Sequence, residues 1–128
     1  MYVIEIVGLT SNIAGYAMGN LANAYTELGR FQEALELEEK TLELFRRVLP
    51  RNHSQLGLAY YNLSISRCKT GDLRRAAEEA QEGLRIFQAS MPSWHPQLKA
   101  ARDHLLQVEA LKVARGAASQ SFGSNFKR

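Results

Sequence analysis

Two stretches of this chain resemble each other at a fixed spacing of 42 residues. The segment from Ala17 to Leu56 returns as the segment from Ala59 to Leu98, and the positions that are identical in both copies are mostly apolar, small or turn-forming. These are the positions that a shared backbone constrains most. Repetition with a period of roughly 20–50 residues is typical of proteins whose units stack into a solenoid. The repeat therefore predicts the architecture before any single residue is considered.

Each copy of the repeat carries the pattern of two helices joined by a short turn. In the first copy, apolar residues recur at helical spacing over residues 21–28, and the spacing resumes over residues 31–49. Gly29 interrupts the two runs, and Gly71 does the same in the second copy. Glycine ends a helix readily because it adopts the left-handed conformation without a Cβ clash. We therefore expect an antiparallel helix pair in each copy.

The linkers after the two helix pairs, PRNHS and PSWHP, combine proline with polar residues. Proline cannot continue the preceding helix, and Pro96 suits the first turn of the next one. Asn52 or Ser54 is expected to cap the helix that follows the first linker. His53 and His95 are interpreted as turn residues. A metal site is the alternative, but no cysteine or carboxylate stands at ligand spacing beside them.

The register divides the chain into a repeat domain and two flanking segments. The domain is expected over residues 11–112, with repeat 1 at about 11–52, repeat 2 at about 53–94 and the first helix of a third repeat at about 95–112. Carried backwards, the register aligns Gly8 with Pro50, so residues 1–10 are expected to be the truncated end of a preceding repeat or an irregular segment. Carried forwards, it reaches Val113 without a glycine turn, and the small and polar residues of 113–128 predict a flexible tail.

The composition favours one intracellular domain without a membrane span. A chain of 128 residues with 45% hydrophobic residues can build one core. No apolar run is long enough to cross a bilayer, and the N-terminus lacks the features of a signal peptide. Cys68 is the only cysteine, which favours a reducing compartment, so we expect a cytoplasmic location. The net charge of +3 is accompanied by no basic stripe interleaved with aromatic residues, so no nucleic-acid partner is expected.

The sequence carries no motif for catalysis. It has no glycine-rich phosphate loop, no paired metal ligands and no nucleophile elbow. Cys68 and His104 could in principle serve as nucleophile and base, but no motif orients them toward each other. We therefore expect no enzymatic activity and no cofactor.

The first copy resembles a known family of helical repeats. The segment NLANAYTELGRFQEALELEEKTLELF is similar to a tetratricopeptide repeat (TPR). The family's pattern positions are occupied by Leu21, Ala22, Tyr25, Gly29, Phe31, Ala34 and Leu42. The period and the linkers resemble the longer form found in kinesin light chains and nephrocystin-like proteins, whereas Arg67 and Gly83 depart from the pattern. The resemblance implies an all-α fold, a right-handed α-solenoid of antiparallel helix pairs.

The resemblance also implies where a partner would bind. TPR arrays present a concave groove, lined by the first helix of each repeat, to short peptide segments of partner proteins. Carried over by position, the peptide-binding residues would be Tyr16, Asn20, Asn23, Tyr61, Asn62, Ile65, Lys69, Asp103 and Gln107. The same positions place Gly19, Glu27, Leu58 and His104 in the groove.

Two of these positions have a specific chemical role in the family. Asn20 and Asn62 match a recurrent asparagine that can hydrogen-bond a peptide backbone, since an amide both donates and accepts. Alternatively, the two amides could bond neighbouring helices. Lys69, with Lys99 and Arg102 if they face the groove, would favour an acidic peptide, but acidic residues among the same positions leave the sign of the groove open. The clamp of two lysines, two asparagines and one arginine, with which some TPR domains bind a C-terminal carboxylate, is missing.

The sequence therefore predicts a non-catalytic protein–protein interaction scaffold that binds a peptide segment of a partner. The alternative is a regulatory or oligomerisation segment of a larger enzyme or motor-associated protein. Both ends of the register fall inside repeats, which indicates a section of a longer array. A helix without its neighbour would expose apolar surface, so self-association through the open ends is also expected.

Overall fold

The computed structural model describes residues 2–126, with side chains for residues 10–118. The helices in this range are α1 Tyr2–Glu27, α2 Phe31–Val48, α3 Ser54–Thr70, α4 Leu73–Ser90 and α5 Pro96–Phe126. No strand occurs among residues 2–126, so the predicted all-α repeat fold is confirmed. None of the described helices combines the length and the apolar character that crossing a membrane requires.

Helices that follow one another in the chain pack against each other. α1 packs on α2 and α3 packs on α4, while contacts of α2 with α3 and of α4 with α5 join the successive pairs. Gly29 and Gly71 follow the first helix of each pair with φ angles of 76° and 91°. These angles lie in the left-handed region that glycine adopts without steric cost. Both predicted glycine turns are thus confirmed.

Histidine side chains begin the helices that follow the two linkers. His53 Nδ1 and His95 Nδ1 each accept a hydrogen bond from the backbone N–H two residues later, at 3.1 Å. The expectation that Asn52 or Ser54 caps α3 is wrong, because His53 has the extended backbone of an N-cap residue and Ser54 is already helical. α5 begins at Pro96, as expected. The two histidines therefore have the same capping role one repeat apart.

The α3 and α4 backbones approach closely at two glycines. A Cβ on Gly83 would lie 3.1 Å from the carbonyl oxygen of Gly57, and a Cβ on Gly57 would lie 2.8 Å from the Phe87 ring. Phe87 and Ile86 are fully buried next to this contact. The departure from the TPR pattern at Gly83 is therefore explained by packing, because any larger residue would push the two helices apart.

The core consists of apolar clusters between neighbouring helices. The cluster that joins α2, α3 and α4 contains Phe45, Leu56, Ala59 and Ile86. The cluster that joins α4 and α5 contains Phe87, Leu98 and Ala101. Because each of these clusters lies among consecutive helices, packing between neighbouring elements stabilises the array, as in other solenoids.

The first helix differs from its prediction. Residues 1–10 were expected to form the end of a preceding repeat or an irregular segment, separate from the domain. Instead, a single helix runs without a break from Tyr2 to Glu27. Gly8 takes the register position of Pro50, but glycine keeps its N–H and permits a helix to continue, whereas proline does not.

The last helix also extends past its prediction of 95–112. α5 continues to Phe126, so the segment expected as a tail over 113–128 is helical as far as that residue; the last two residues lie outside the described range, and the flexibility of the tail stays a prediction. No proline follows the first residue of α5 to stop it. In addition, the Arg115 guanidinium donates to the Gly71 carbonyl oxygen at 2.7 Å. The extension of α5 is thus in contact with the turn between α3 and α4.

Candidate functional site

A groove of about 520 Å³ lies between α3 and α5. We call it the α3/α5 groove. The predicted residues that line it are Tyr61, Ile65 and Lys69 from α3 and Asp103 and Gln107 from α5. Residues four apart share one face of a helix, so the spacing within each helix brings these side chains to the same side. The structure therefore places five of the nine predicted residues together.

A second, smaller depression of about 90 Å³ lies between α1 and α3, the α1/α3 groove. Tyr16, Asn20 and Asn23 of α1 and Asn62 of α3 line it, so the remaining predicted residues also come together. Phe45 of α2 lies beneath them, and the Tyr16 ring meets it edge to face with 5.6 Å between ring centroids. This aromatic contact fixes the position of Tyr16 against the core.

A third depression, of about 280 Å³, connects the two grooves. Asn23 and Asn62 belong both to it and to the α1/α3 groove, and Ile65 belongs both to it and to the α3/α5 groove. Glu38 of α2 and Ser66 of α3 also line it. We call it the Glu38 pocket. The shared residues make the three depressions contiguous along α1, α3 and α5.

Three asparagine amides in these depressions are free of intramolecular hydrogen bonds. Within residues 10–118, the side chains of Asn20, Asn23 and Asn62 make no hydrogen bond to another protein group. Asn20 and Asn23 are exposed and Asn62 is half-buried. The alternative role, in which Asn20 and Asn62 bond neighbouring helices, has no contact to support it. A role of these amides in binding a peptide stays a prediction.

The basic residues near the α3/α5 groove differ in their contacts. Lys69 Nζ lies 5.9 Å from the centroid of the Phe31 ring, a cation–π distance, and Lys69 also lines the groove. Lys99 Nζ instead forms an ion pair with Asp103 at 3.0 Å on the same helix. Arg102 is exposed. Because Lys99 is already paired, Lys69 is the basic residue best placed to meet an incoming anion.

His104 forms a structural link, and its contacts do not match a catalytic pair with Cys68. Ser64 Oγ donates to the Ala76 carbonyl oxygen at 2.6 Å and lies 2.8 Å from His104 Nε2. Since the hydroxyl has one proton and gives it to Ala76, His104 Nε2 must be the donor to Ser64. Burial lowers the pKa of His104 and raises the pKa of the Cys68 thiol. A neutral imidazole therefore joins α3 to α5, and the thiol is not activated.

An ionic cluster centred on the buried Arg67 joins α2, α3 and α4, and the sequence reasoning missed it. Arg67 Nε donates to Glu79 Oε1 at 3.0 Å, and Arg67 Nη2 lies 2.7 Å from Glu39 Oε1. Arg67 and the neighbouring Glu38 are buried. The register contained a signal for them, because Glu38 aligns with Ala80, which is an apolar position of the second copy. A charged residue at a position where the other copy buries an alanine indicates a buried charge.

Glu38 is the titratable group most altered by this environment. Burial raises its pKa from an ordinary value of 4.5 to about 7. The Ser66 hydroxyl and the Arg67 charge oppose the increase, and the Glu79 carboxylate adds to it. Burial also raises the pKa of Glu79, against the opposing effect of Arg67. Arg67 therefore does not fully compensate the two buried carboxylates.

The described side chains form no candidate metal centre. Within that part of the chain, no group of three or more His, Cys, Asp or Glu residues is arranged to hold a metal ion. His53 and His95, the residues of the metal alternative, each use Nδ1 as a helix cap. What the contiguous depressions offer to a ligand is amide, carboxylate, ammonium and aromatic groups along an elongated surface.

Comparisons with known proteins bear on the fold and the family. A family model described as tetratricopeptide repeat matches residues 13–89, more than half of the 128 residues. Among solved structures, the nearly identical TPR-like repeats from Podosopora anserina, assigned to a kinesin light chain, align with a TM-score of 0.70 and 22% identity. The alignment covers 77% of this chain and 47% of that chain, and a single-substitution variant of those repeats gives the same values. No curated protein sequence matches. At this identity, the similarity to the solved structures shows the fold alone.

Proposed function

This chain belongs to the tetratricopeptide repeat family, and we propose that it is a non-catalytic scaffold that binds an extended segment of a partner protein along α1, α3 and α5. TPR repeats in general mediate protein–protein interaction. Beyond this general role, we propose the face that binds and the extended form of the bound segment. The alignment covers 47% of the length of the solved neighbours. Any wider role of a longer protein therefore belongs to our proposal, because the comparison does not show it.

The contiguity of the three depressions carries the proposal. Together they form an elongated surface on which all nine predicted residues lie. A peptide in an extended conformation has unpaired backbone N–H and C=O groups along its length. The amides of Asn20, Asn23 and Asn62 can serve both kinds of group, since they make no bond within the described part of the protein. The apolar and aromatic residues beside them would contact the peptide side chains.

Selection of peptides from a random displayed library tests this function. The full chain is the bait, and the affinity of selected peptides is measured by fluorescence anisotropy. The variant Tyr61→Ala/Asn62→Ala/Lys69→Ala should bind at least about tenfold more weakly, because it removes side chains that line all three depressions. The control variant Gln81→Ala/Gln88→Ala changes two exposed residues of α4 and should bind as the wild type does. Equal binding by the triple variant, with helicity retained, would place the ligand elsewhere.

Exposed apolar residues on α5 favour self-association or assembly into a larger protein as a second candidate function. Leu106, Leu111 and Val113 are 64%, 50% and 70% exposed. In a solenoid, the helix that follows would cover such residues. Light scattering over a range of protein concentrations should detect dimers that the variant Leu106→Lys/Val113→Lys does not form. A wild-type protein that stays monomeric at every concentration would contradict this candidate.

A cytoplasmic location completes the proposal. Cys68 is a free thiol, half-buried between α3 and its neighbours. A single unpaired cysteine suits a reducing compartment. Fluorescence imaging of the tagged full-length protein in cells tests the location directly.

A further inference from the structure

The Glu38 pocket contains two buried oxygen atoms that lack a partner in full hydrogen-bonding geometry. Glu38 is 5% exposed and Ser66 is 1% exposed, and both line the pocket between α1 and α3. Glu38 Oε2 and Ser66 Oγ have no partner in full hydrogen-bonding geometry, although the Ser66 hydroxyl is close enough to the Glu38 carboxyl group to lower its pKa. Buried polar groups in folded proteins are nearly always well paired, so a carboxylate whose nearest polar neighbour is a poorly aligned hydroxyl can accept a further donor. Both face a cavity that has room for a ligand group.

The remaining polar groups of the pocket also offer acceptors. Thr26 Oγ1 donates its proton to the Ala22 carbonyl oxygen at 3.0 Å, so toward the pocket it can only accept. Asn23 and Asn62 contribute amide oxygens, and the carboxylate of Glu27 adds a second negative group. A pocket with this composition is complementary to a cation that has several N–H donors.

The protein does not supply that cation itself. The nearest guanidinium is that of Arg67, which is bonded to Glu79 at 3.0 Å and paired with Glu39 at 2.7 Å. Its donors are directed at those two carboxylates. Glu38 therefore lacks a direct ion-pair partner among the described side chains, although it is more deeply buried than Glu39 and Glu79. A positive charge arriving from outside would stabilise it.

We propose that the Glu38 pocket binds a lysine side chain of the partner segment, with the ammonium group between Glu38, Ser66 and the neighbouring amides. This inference rests on the proposed function, because it names a chemical feature of the same ligand. Lysine fits because its ammonium carries three donors at the end of a thin apolar stem. The stem would lie along Ile65, the apolar residue of the pocket that also borders the α3/α5 groove. A planar guanidinium is best matched by the two oxygens of one carboxylate, whereas the open acceptors of this pocket belong to two different side chains, Glu38 and Ser66.

Of the two complete copies, only the first carries this site, which would set the register of the ligand. The position equivalent to Glu38 in the second copy is Ala80, which is buried and cannot attract a cation. The lysine of a bound segment would therefore lie between α1 and α3, and the residues on one side of it would enter the α3/α5 groove. This arrangement would distinguish partner segments by the position of one basic residue.

The test compares selected peptides on the full chain and on Glu38→Ala, which introduces the residue that the second copy carries. Wild-type protein should select peptides with lysine at a recurrent position. Replacement of that lysine by norleucine, which removes the ammonium and keeps the stem, should weaken binding to wild type by at least about tenfold. The same replacement should have little effect on binding to Glu38→Ala. The control variant Glu43→Gln, on the exposed side of α2, should behave as wild type.

Several outcomes would overturn the inference. They are selected peptides without a recurrent lysine, arginine in place of lysine, and a norleucine penalty that is equal in wild type and Glu38→Ala. If Glu38→Ala does not fold, Glu38→Gln takes its place in the comparison, because it keeps the side-chain volume. If no peptide is selected at all, the proposed function fails, and the pocket is tested separately with acetyl-lysine N-methylamide. That probe should shift the ¹³C resonance of the Glu38 carboxyl group at millimolar concentration, and an unchanged resonance would reject the lysine site.

Discussion

The buried Glu38 carboxyl group predicts an unusual dependence of stability on pH. Its pKa is about 7 in the folded protein, against an ordinary value of 4.5. The native state therefore binds more protons than the unfolded state between these two values, and Glu38 favours folding most below pH 4.5. The contribution of Glu38 to the free energy of unfolding therefore falls as the pH rises from 4.5 toward 7, and it is lowest above pH 7. The direction is opposite to that of an ordinary salt-bridged carboxylate.

The size of the effect follows from the difference between the two pKa values. One pH unit corresponds to about 1.4 kcal/mol, so ionisation of Glu38 in the folded protein costs about 3 kcal/mol above pH 7. The variant Glu38→Gln resembles the protonated acid in shape and does not titrate. It should match wild type near pH 4.5 and exceed it by about 3 kcal/mol in free energy of unfolding at pH 8. Glu39, Arg67 and Glu79 face the same region and are present in both proteins.

Urea unfolding followed by circular dichroism at several pH values between 4.5 and 8 measures this difference. The comparison of two proteins cancels the titration of groups that they share, including His104. Glu43→Gln is the matched control, since Glu43 lies on the same helix with its side chain 66% exposed, and its curve should run parallel to wild type. Parallel curves for wild type and Glu38→Gln would refute the assignment of a high pKa to Glu38.

Three further substitutions test the packing, the helix cap and the ion pair. Gly83→Ala should lower the free energy of unfolding by about 1–3 kcal/mol because its Cβ would press on the α3 backbone. Gly19→Ala, whose Cβ would meet open space, should instead raise the free energy of unfolding by about 0.5–1 kcal/mol. If urea unfolding shows the same loss of stability for both variants, the packing explanation is wrong. His95→Ala should cost about 1 kcal/mol by removing the acceptor at the start of α5; an unchanged melting temperature would show that the cap contributes nothing. Arg67→Ala should cost about 3–5 kcal/mol because it leaves Glu79 without its cation, and Arg67→Ala/Glu79→Ala should recover part of the loss. Thermal melting that shows no recovery would argue against the pair.

The fold could be predicted from the sequence because the repeat constrains the same positions twice. Gly29 and Gly71 mark the turns, and the helical spacing of apolar residues defines the segments on either side. The juxtaposition of the site residues was also predictable. Tyr61, Ile65 and Lys69 follow each other at intervals of four, so any helix over this range brings them to one face. Local periodicity alone decides these features.

Other features depend on contacts that the sequence does not display. His53 was not expected as a helix cap because Asn and Ser are the residues that statistics favour at this position. Gly8 was expected to mark a break, but a glycine stops a helix only where the surrounding packing uses its freedom to turn. The burial of Glu38 was not expected either, because it depends on how α1 and α3 close over α2. In each case tertiary packing overrides the local pattern.

The bond between Arg115 and the Gly71 carbonyl makes the two glycine turns unequal in their dynamics. The side chain comes from 44 residues further along the chain and holds the second turn from outside its own repeat. Among the described side chains, none donates in this way to the carbonyl of Gly29. Local opening should therefore be more frequent at the first turn, where amide hydrogens would exchange sooner and a protease would cut first. Two turns that share a register would then differ in lifetime, because α5 restrains only one of them.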